Sequence, residues 1–425
     1  MRTLGRAGVL GFALCLGLTV APLPAAPATP APATPAPAGC PTLDRTLPWH
    51  GENRESLQAL LDAHCGRKPG RRPVAAFDWD HSVIRNDVGD ATVFWLLRNN
   101  KVLQPPGRDW RATSAYLTDA GATALRAACG AAEPGTPLVT SGPDTRCADE
   151  VLSVYAQART TSGATAFAGA DLRRTEPGYA WAAQLLAGRT DAEVAAFAAA
   201  ARAENLAAPV GATQRVGSRQ VTGWVRYYDQ QRDLIDALRR TGFDVWVVSA
   251  SPEPVVRVWA AGVGIPADRV IGIRNVHKGH RLTYAFEGCG GVPDGPTAPI
   301  TYIDGKRCWL NKVVFHVPDR RAFERQPAAR RPVFAAGDST TDLTFVADAT
   351  ALRLVVNRNK AELMCHAYDN SDGRWLVNPM FLQPLPQRAT PYPCSTTAHT
   401  ASDGTPGPVR RADGTVIPDQ LDTAF

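Results

Sequence analysis

Val74-Ala75-Ala76-Phe77-Asp78-Trp79-Asp80-His81-Ser82 is the stretch on which the reading of this chain turns. Its first four residues are apolar without alternation, which suits a strand buried on both faces of a parallel sheet. The run stops where two acids begin, one residue apart. Open α/β sheets gather their ligands at the carboxyl ends of strands. A pair of aspartates there can divide a phosphoryl transfer. One carboxylate attacks phosphorus, the other moves protons, and both can help hold a metal ion. Alone the pattern is weak, because most short acidic motifs are solvated loops.

Three later stretches add to it. The apolar run 245–248 ends in Ser249, and Ala250-Ser251-Pro252-Glu253 reads as a helix start with Ser251 as cap. A hydroxyl and free backbone N–H groups at such a place can cradle a phosphate, so Ser249 and Ala250 are candidate contacts. An ordinary cap that touches no ligand is the plain alternative. Asp304-Gly305-Lys306 opens a helix-like run, and Lys306 could neutralise both a carboxylate and an incoming phosphate; Lys312 is the competing lysine. The run 333–336 ends in Gly337-Asp338-Ser339-Thr340-Thr341-Asp342. Asp338 and Asp342 offer oxygen to a hard cation such as Mg²⁺. A rival reading makes Ser339 the nucleophile of a Gly-Asp-Ser esterase, but Thr340-Thr341 stands where a protease wants Gly-Gly, and no Asp-x-x-His supplies the esterase base.

Composition narrows the classes. The chain has 425 residues and a formal charge of +6. That charge comes from scattered arginines, which would not repel an anionic substrate and leave no clustered footprint for nucleic acid. Arg2 and Arg6 precede an apolar stretch at 7–20, too short for a comfortable membrane span, and Ala26-Pro27-Ala28 has the small residues of a cleavage site. We expect a signal peptide at 1–28, an extracytoplasmic or secreted destination, and no stable membrane insertion after cleavage. Cys15 lies inside the apolar stretch. The other eight of the nine cysteines make an even set, as disulfides in an exported protein require. Pairing neighbours in sequence predicts Cys40–Cys65, Cys129–Cys147, Cys289–Cys308 and Cys365–Cys394. His277 and His280 lack further ligands nearby and read as surface residues.

The chain divides accordingly. An Ala/Pro/Thr linker occupies 29–39, and a first core segment with an amphipathic helix at 53–64 occupies 40–90. From 91 to 235 the texture is Ala-rich and helical, clearest at 190–206, with no strand series. Core texture returns over 236–382, with strand-like runs at 245–249, 269–273, 333–336 and 352–356 separated by helix-like stretches. A strand pair is expected between 281 and 303, with Cys289 at one turn. The Pro-rich extension 383–425 is weakly patterned, and its last twenty residues read as flexible.

As an ordered set these motifs resemble the haloacid dehalogenase superfamily, and within it the group of phosphoserine and phosphocholine phosphatases. The resemblance covers roughly 73–90 and 236–360. It implies an α/β fold, a Rossmann-like parallel sheet with the 91–235 segment inserted as a helical cap. It implies Asp78 as nucleophile, Asp80 as acid and base, Ser82, Ser249, Ala250 and Lys306 as phosphate contacts, and Mg²⁺ on Asp78, Asp80 and Asp338 with Asp342 close by. The implied substrate is a small phosphomonoester. Phosphocholine or phosphoethanolamine is the leading candidate, and Trp95, Trp110, Tyr116, Trp181, Trp224, Tyr227 and Tyr228 could include an aromatic cage that would suit phosphocholine. Core packing is the ordinary role for such rings, and for Trp79. Departures are His81, where the family often has Gly, and Ser82, where it has Thr. Asp80 argues against a dehalogenase. A non-catalytic binding module on the same fold would usually have lost Asp78, Asp80 or Asp338.

Overall fold

The computed structural model describes residues 39–66, 70 and 72–425. The expected leader at 1–28 and all of the linker except Gly39 lie outside the described residues. The centre of the fold is a parallel sheet built from β1 (Val74–Phe77), β2 (Asp244–Pro252), β3 (Val270–Ile273), β4 (Phe334–Gly337), β5 (Leu352–Asn357) and β6 (Trp375–Pro379). Their spatial order is β6-β5-β4-β1-β2-β3. β1 is therefore central, and all four of its residues are buried. Phe77 lies beside Ala336 of β4 on one side and Val247 of β2 on the other. That register sets Asp78 and Asp338, just past the ends of β1 and β4, beside Ser249, which lies within β2.

The two faces of the sheet bury different partners, as alternation along a strand requires. Ala75, Phe77, Val245, Val247, Phe334 and Ala336 join the core cluster containing the helices Asn53–His64 and Asp229–Thr241. Val74, Ala76, Trp246, Val248 and Ala335 face the helices Asp304–Val313 and Ala361–Asp369. The helix Asp191–Ala207 of the insert begins with a capping box between Thr190 and Glu193. Ile84–Arg85 pairs antiparallel with Arg226–Tyr227, joining the chain just before the insert to the chain that returns from it.

Four features differ from the sequence reading. Within the insert, Thr213–Val216 and Arg219–Thr222 form a hairpin; its mostly polar residues give no apolar alternation to read. The second pair is Asn275–Lys278 with Arg281–Phe286, earlier than expected, because Asn275, His277 and Lys278 conceal its first strand. β6 was not anticipated. Its Asn378 and Pro379 look unlike a strand, and Pro379 is tolerated because β6 lies at the sheet edge. The last twenty residues are packed, with Ile417, Asp422 and Ala424 buried. Asn357 Nδ2 donates to Asp422 Oδ1 at 2.9 Å and to the Ala424 carbonyl at 2.8 Å. Such polar anchors leave no periodic signal.

Four disulfides pair Cys40 with Cys65, Cys129 with Cys147, Cys289 with Cys308, and Cys365 with Cys394. This is the connectivity expected from sequence neighbours. The last of them ties the C-terminal extension to the helix Ala361–Asp369. A closed loop of this size restricts the unfolded chain by about 3 kcal/mol. Replacing Cys365 and Cys394 with Ala is therefore expected to lower stability by about that amount in urea unfolding. Unchanged stability, together with eight titratable thiols in the untreated native protein, would overturn the bridge assignment. Among the described residues no helix is long and apolar enough to cross a membrane.

Candidate active site

The strand ends converge on a cavity of about 130 Å³ whose walls include Asp78, Asp80, Ala250, Ser251, Asp338 and Arg358. Asp78 is buried, and its amide donates to the Ala336 carbonyl of β4 at 2.9 Å. Its carboxylate is held from two sides. Lys306 Nζ donates to Oδ1 at 2.5 Å, and Ser82 Oγ donates to Oδ2 at 2.7 Å while lying 3.0 Å from Asp338 Oδ1. Lys306 is wholly buried and also donates to Asp342 Oδ1 at 2.6 Å. Lys312 does not reach this place; its Nζ donates to the Gly288 carbonyl and lies over the Trp309 ring.

The lysine is placed by a constrained turn. Ile303, immediately before the helix Asp304–Val313, has φ +43°, a costly conformation for a β-branched residue. Its amide donates to the Thr341 carbonyl at 3.0 Å, and its own carbonyl accepts from Thr344 Oγ1 at 2.6 Å. The turn is thus pinned to the loop that carries Asp338. His81 also has positive φ, +64°. A left-handed residue between Asp80 and Ser82 explains why glycine is common at this position among the proteins the motif resembles; the imidazole itself meets Arg85 at 3.3 Å.

Asp80 stands at the cavity wall. Its Oδ1 accepts from the Val88 amide at 2.8 Å, and its Oδ2 from Ser251 Oγ at 2.8 Å and Ser249 Oγ at 3.3 Å. Ser249 is wholly buried, and its Oγ also accepts from the Ser251 amide, so it supports the acid from beneath. Ser251, expected to cap a helix, does not: β2 runs through it and the helix Glu253–Ala260 has Pro252 at its cap position. Its hydroxyl serves Asp80 instead.

Burial dominates the electrostatics. It lifts the Asp78 carboxyl to about 6, against the pull of Lys306 and with a push from Asp338. Asp80 touches the cavity, yet protein atoms enclose it closely enough that desolvation, with the Asp78 charge beside it, raises its carboxyl to about 7. An acid poised there suits proton transfer near neutrality. For Lys306 burial opposes the charge, but Asp342 and Asp78 outweigh it and hold the ammonium above its usual range.

The donor set fits a divalent cation. Asp78, Asp338 and Asp342 are buried, with ligand oxygens all within 4.8 Å of one another. Crowded carboxylates with upward-shifted affinities for protons want a positive charge between them, and hard oxygen donors suit Mg²⁺. The three do not stand alike. Both Asp342 oxygens are taken by the chain: Oδ1 by Lys306, and Oδ2 by the amides of Asp338 at 2.9 Å and Ser339 at 3.0 Å. Asp342 therefore braces its loop through backbone amides, whereas the carboxylates of Asp78 and Asp338 are held by side chains alone. Ser339 Oγ meets Thr341 Oγ1 at 2.8 Å and the Asp342 carboxylate, and among the described residues no imidazole hydrogen-bonds to it.

Sequence reasoning missed Arg358, whose Nη1 donates to Asp338 Oδ2 at 2.6 Å. It follows β5 directly, so the strand-end rule that found Asp78 would have found it too. Of the seven aromatics noted above, Trp110 and Trp181 are core, 6.3 Å apart, and Trp95 stacks on Phe197 at 5.5 Å. Trp79 is buried against Tyr227. His277 pairs with Asp191 away from the site.

Residues 144–346 match the haloacid dehalogenase-like hydrolase family. Over that stretch, a little under half of its length, the chain is similar to that family. No curated protein matches it by sequence. Among solved structures, a conserved protein of unknown function from Anaerococcus prevotii DSM 20548 is 18% identical over 80% of this chain and 94% of its own, with a TM-score of 0.58. A protein of unknown function from Bordetella pertussis Tohama I is 15% identical over 72% of this chain and 97% of its own, TM-score 0.41. A substrate-bound phosphoserine phosphatase is 11% identical over 68% and 87%, TM-score 0.28. The first shares the fold; the other two are too distant to bear on the chemistry. The six-stranded parallel sheet with its inserted helices is consistent with the fold of haloacid dehalogenase-like hydrolases.

Proposed function

We propose that this protein is an exported, Mg²⁺-dependent phosphatase that hydrolyses small phosphomonoesters through an aspartyl-phosphate on Asp78. The observation that carries the reading is the pairing of Asp78, clamped by Lys306 and Ser82, with Asp80 as a second carboxyl whose proton affinity lies near neutrality. In the first step an Asp78 oxygen bonds to phosphorus as the bond from phosphorus to the leaving oxygen breaks, and Asp80 gives that oxygen its proton. In the second, Asp80 takes a proton from water, whose oxygen bonds to phosphorus as the Asp78–phosphorus bond breaks. Lys306 and Arg358 offset charge on the phosphoryl oxygens, which is most of what such a transfer needs. Mg²⁺ held by Asp78, the Asp80 main chain and Asp338 would supply further charge neutralisation when bound. Export is supported by the four disulfides and by the leader-like sequence at 1–28.

The test is phosphate release from a panel of phosphomonoesters, including phosphocholine, with Mg²⁺ and with EDTA. Metal-dependent release, with label from ³²P-substrate trapped on the protein in acid, is the expected result. Folded protein that releases nothing across the panel would turn the reading toward a phosphate-binding module.

A further inference from the structure

Arginines gather at one other place in the fold. A cavity of about 300 Å³ has Arg307, Arg325, Arg353, Arg410 and Arg411 in its wall, and it shares no lining residue with the catalytic cavity. The five come from four separate parts of the chain: the helix Asp304–Val313, the loop before β4, β5 itself and the C-terminal extension. Two acids stand among them. Asp348 accepts from Arg307 Nε at 2.7 Å, and Asp372 accepts from Arg353 Nη1 at 2.7 Å. Asp369, which is not part of the wall, pairs with Arg411. Five guanidiniums against three carboxylates leave a surplus of two positive charges.

Donors are left over as well as charge. Among the described residues the Arg325 side chain makes no hydrogen bond, and its one ion pair, to Asp348 Oδ1, is stretched to 3.5 Å. Arg410 Nη1 donates to the Gly414 carbonyl at 2.9 Å, and among the described residues no acid lies within ion-pair distance of it. Arg353 is only 4% exposed, yet its buried Nε has no partner. His366 lies in the same wall, stacked over Trp375 with ring centroids 6.4 Å apart, and among the described residues neither of its ring nitrogens is hydrogen-bonded. Burial, against the pull of Asp369, holds its imidazole down at about 4, so near neutral pH the ring is uncharged and has one N–H to donate.

We propose that this cavity is a second anion site, separate from the catalytic one, for a phosphate dianion, free or as the terminal group of a monoester. Its two negative charges match the surplus. Guanidiniums meet phosphate oxygens through paired N–H groups, and Arg325 and Arg410 are the two whose heads are least engaged. Arg353 Nε and the His366 ring remain for further oxygens. Ordinary surface arginines would stand apart in water. Here Arg353 is buried, and Arg331 is held below its usual range by burial and by repulsion from Arg325, with Asp348 opposing and Arg353 and Arg374 adding to the push. An anion between them relieves that repulsion. The site stands whether or not the catalytic reading holds, because none of its residues takes part in that chemistry.

The experiment follows the His366 ring signals by NMR as inorganic phosphate is added to the intact protein at about pH 8, where the ion is mostly a dianion. Chloride at the same ionic strength is the comparison. Phosphate is expected to move the signals saturably, and chloride to leave them in place. Arg325→Gln/Arg410→Gln removes two exposed heads and should leave the fold intact. It is expected to weaken phosphate binding by roughly 10- to 100-fold, the range for hydrogen bonds to a charged group. Arg240→Gln, which removes an exposed charge elsewhere, should leave binding unchanged. Propylphosphonate separates the two sources: a matching shift assigns the terminal group of a monoester, and no shift assigns the free ion. Signals that ignore phosphate, follow chloride equally, or respond to phosphate in the double variant as in the wild type would overturn the site.

Discussion

Asp78→Asn is expected to abolish turnover, lowering kcat by about four orders of magnitude or more, the scale seen when a covalent nucleophile is removed. The amide keeps the shape and one acceptor oxygen for Lys306 or Ser82, but its electron pairs are too weakly basic to displace an alkoxide from phosphorus. The fold should survive. Burial already opposes the charged form of Asp78, lifting its carboxyl to about 6, so a neutral amide removes a disfavoured charge and Lys306 keeps Asp342. Melting temperature is expected to hold or rise while phosphate release disappears. That combination separates loss of chemistry from loss of structure. Activity within tenfold of wild type in the folded variant would sink Asp78 as nucleophile and make Ser339→Ala the next variant to measure.

What could be read in the sequence followed a physical rule. Parallel strands buried on both faces appear as unbroken apolar runs, so β1, β2 and β4 were legible, and the residues after them could be named: Asp78, Asp80, Ser249 and Asp338. Lys306 was legible because it opens a helix. Arg358 apart, the cavity residues that escaped notice sit where no run announces them. Ser251 was assigned to a cap because serine before proline suits a helix start, whereas β2 continues through it and turns its hydroxyl toward Asp80. Asp87 and Asp90 look like ordinary N-terminal helix acids, and only the folded chain shows them facing a cavity shared with Asp80. The division of labour among the acids was equally hidden. Asp338 and Asp342 are interchangeable as letters, yet two backbone amides and a lysine occupy Asp342 and leave Asp338 to Ser82 and Arg358.

Lys306→Met should cost both stability and activity, and the comparison with Lys312→Met makes the result specific. Lys306 has no exposed surface, and among the described residues its ammonium is the one charge that meets both Asp78 and Asp342. A methionine of similar volume fills the space but leaves two buried carboxylates facing each other. Removing one partner of a buried charge network costs about 3–5 kcal/mol, because the remaining charge stays desolvated. The loss should depend on pH. Without the ammonium, both carboxyls bind protons more tightly in the folded protein than in the unfolded chain. Such groups contribute stability below the unfolded value, near 3.8, and lose it as pH rises through the folded value. Measured by urea unfolding in EDTA, the deficit of Lys306→Met against wild type should widen as pH rises above about 6, where the wild-type Asp78 carboxyl has lost its proton and the variant's has not. Lys312→Met removes a single bond to the Gly288 carbonyl and should cost about 1 kcal/mol, with turnover retained. If the two variants behaved alike, or if Lys306→Met kept wild-type turnover, the lysine would be structural and the charge neutralising the phosphoryl oxygens would have to come from Arg358.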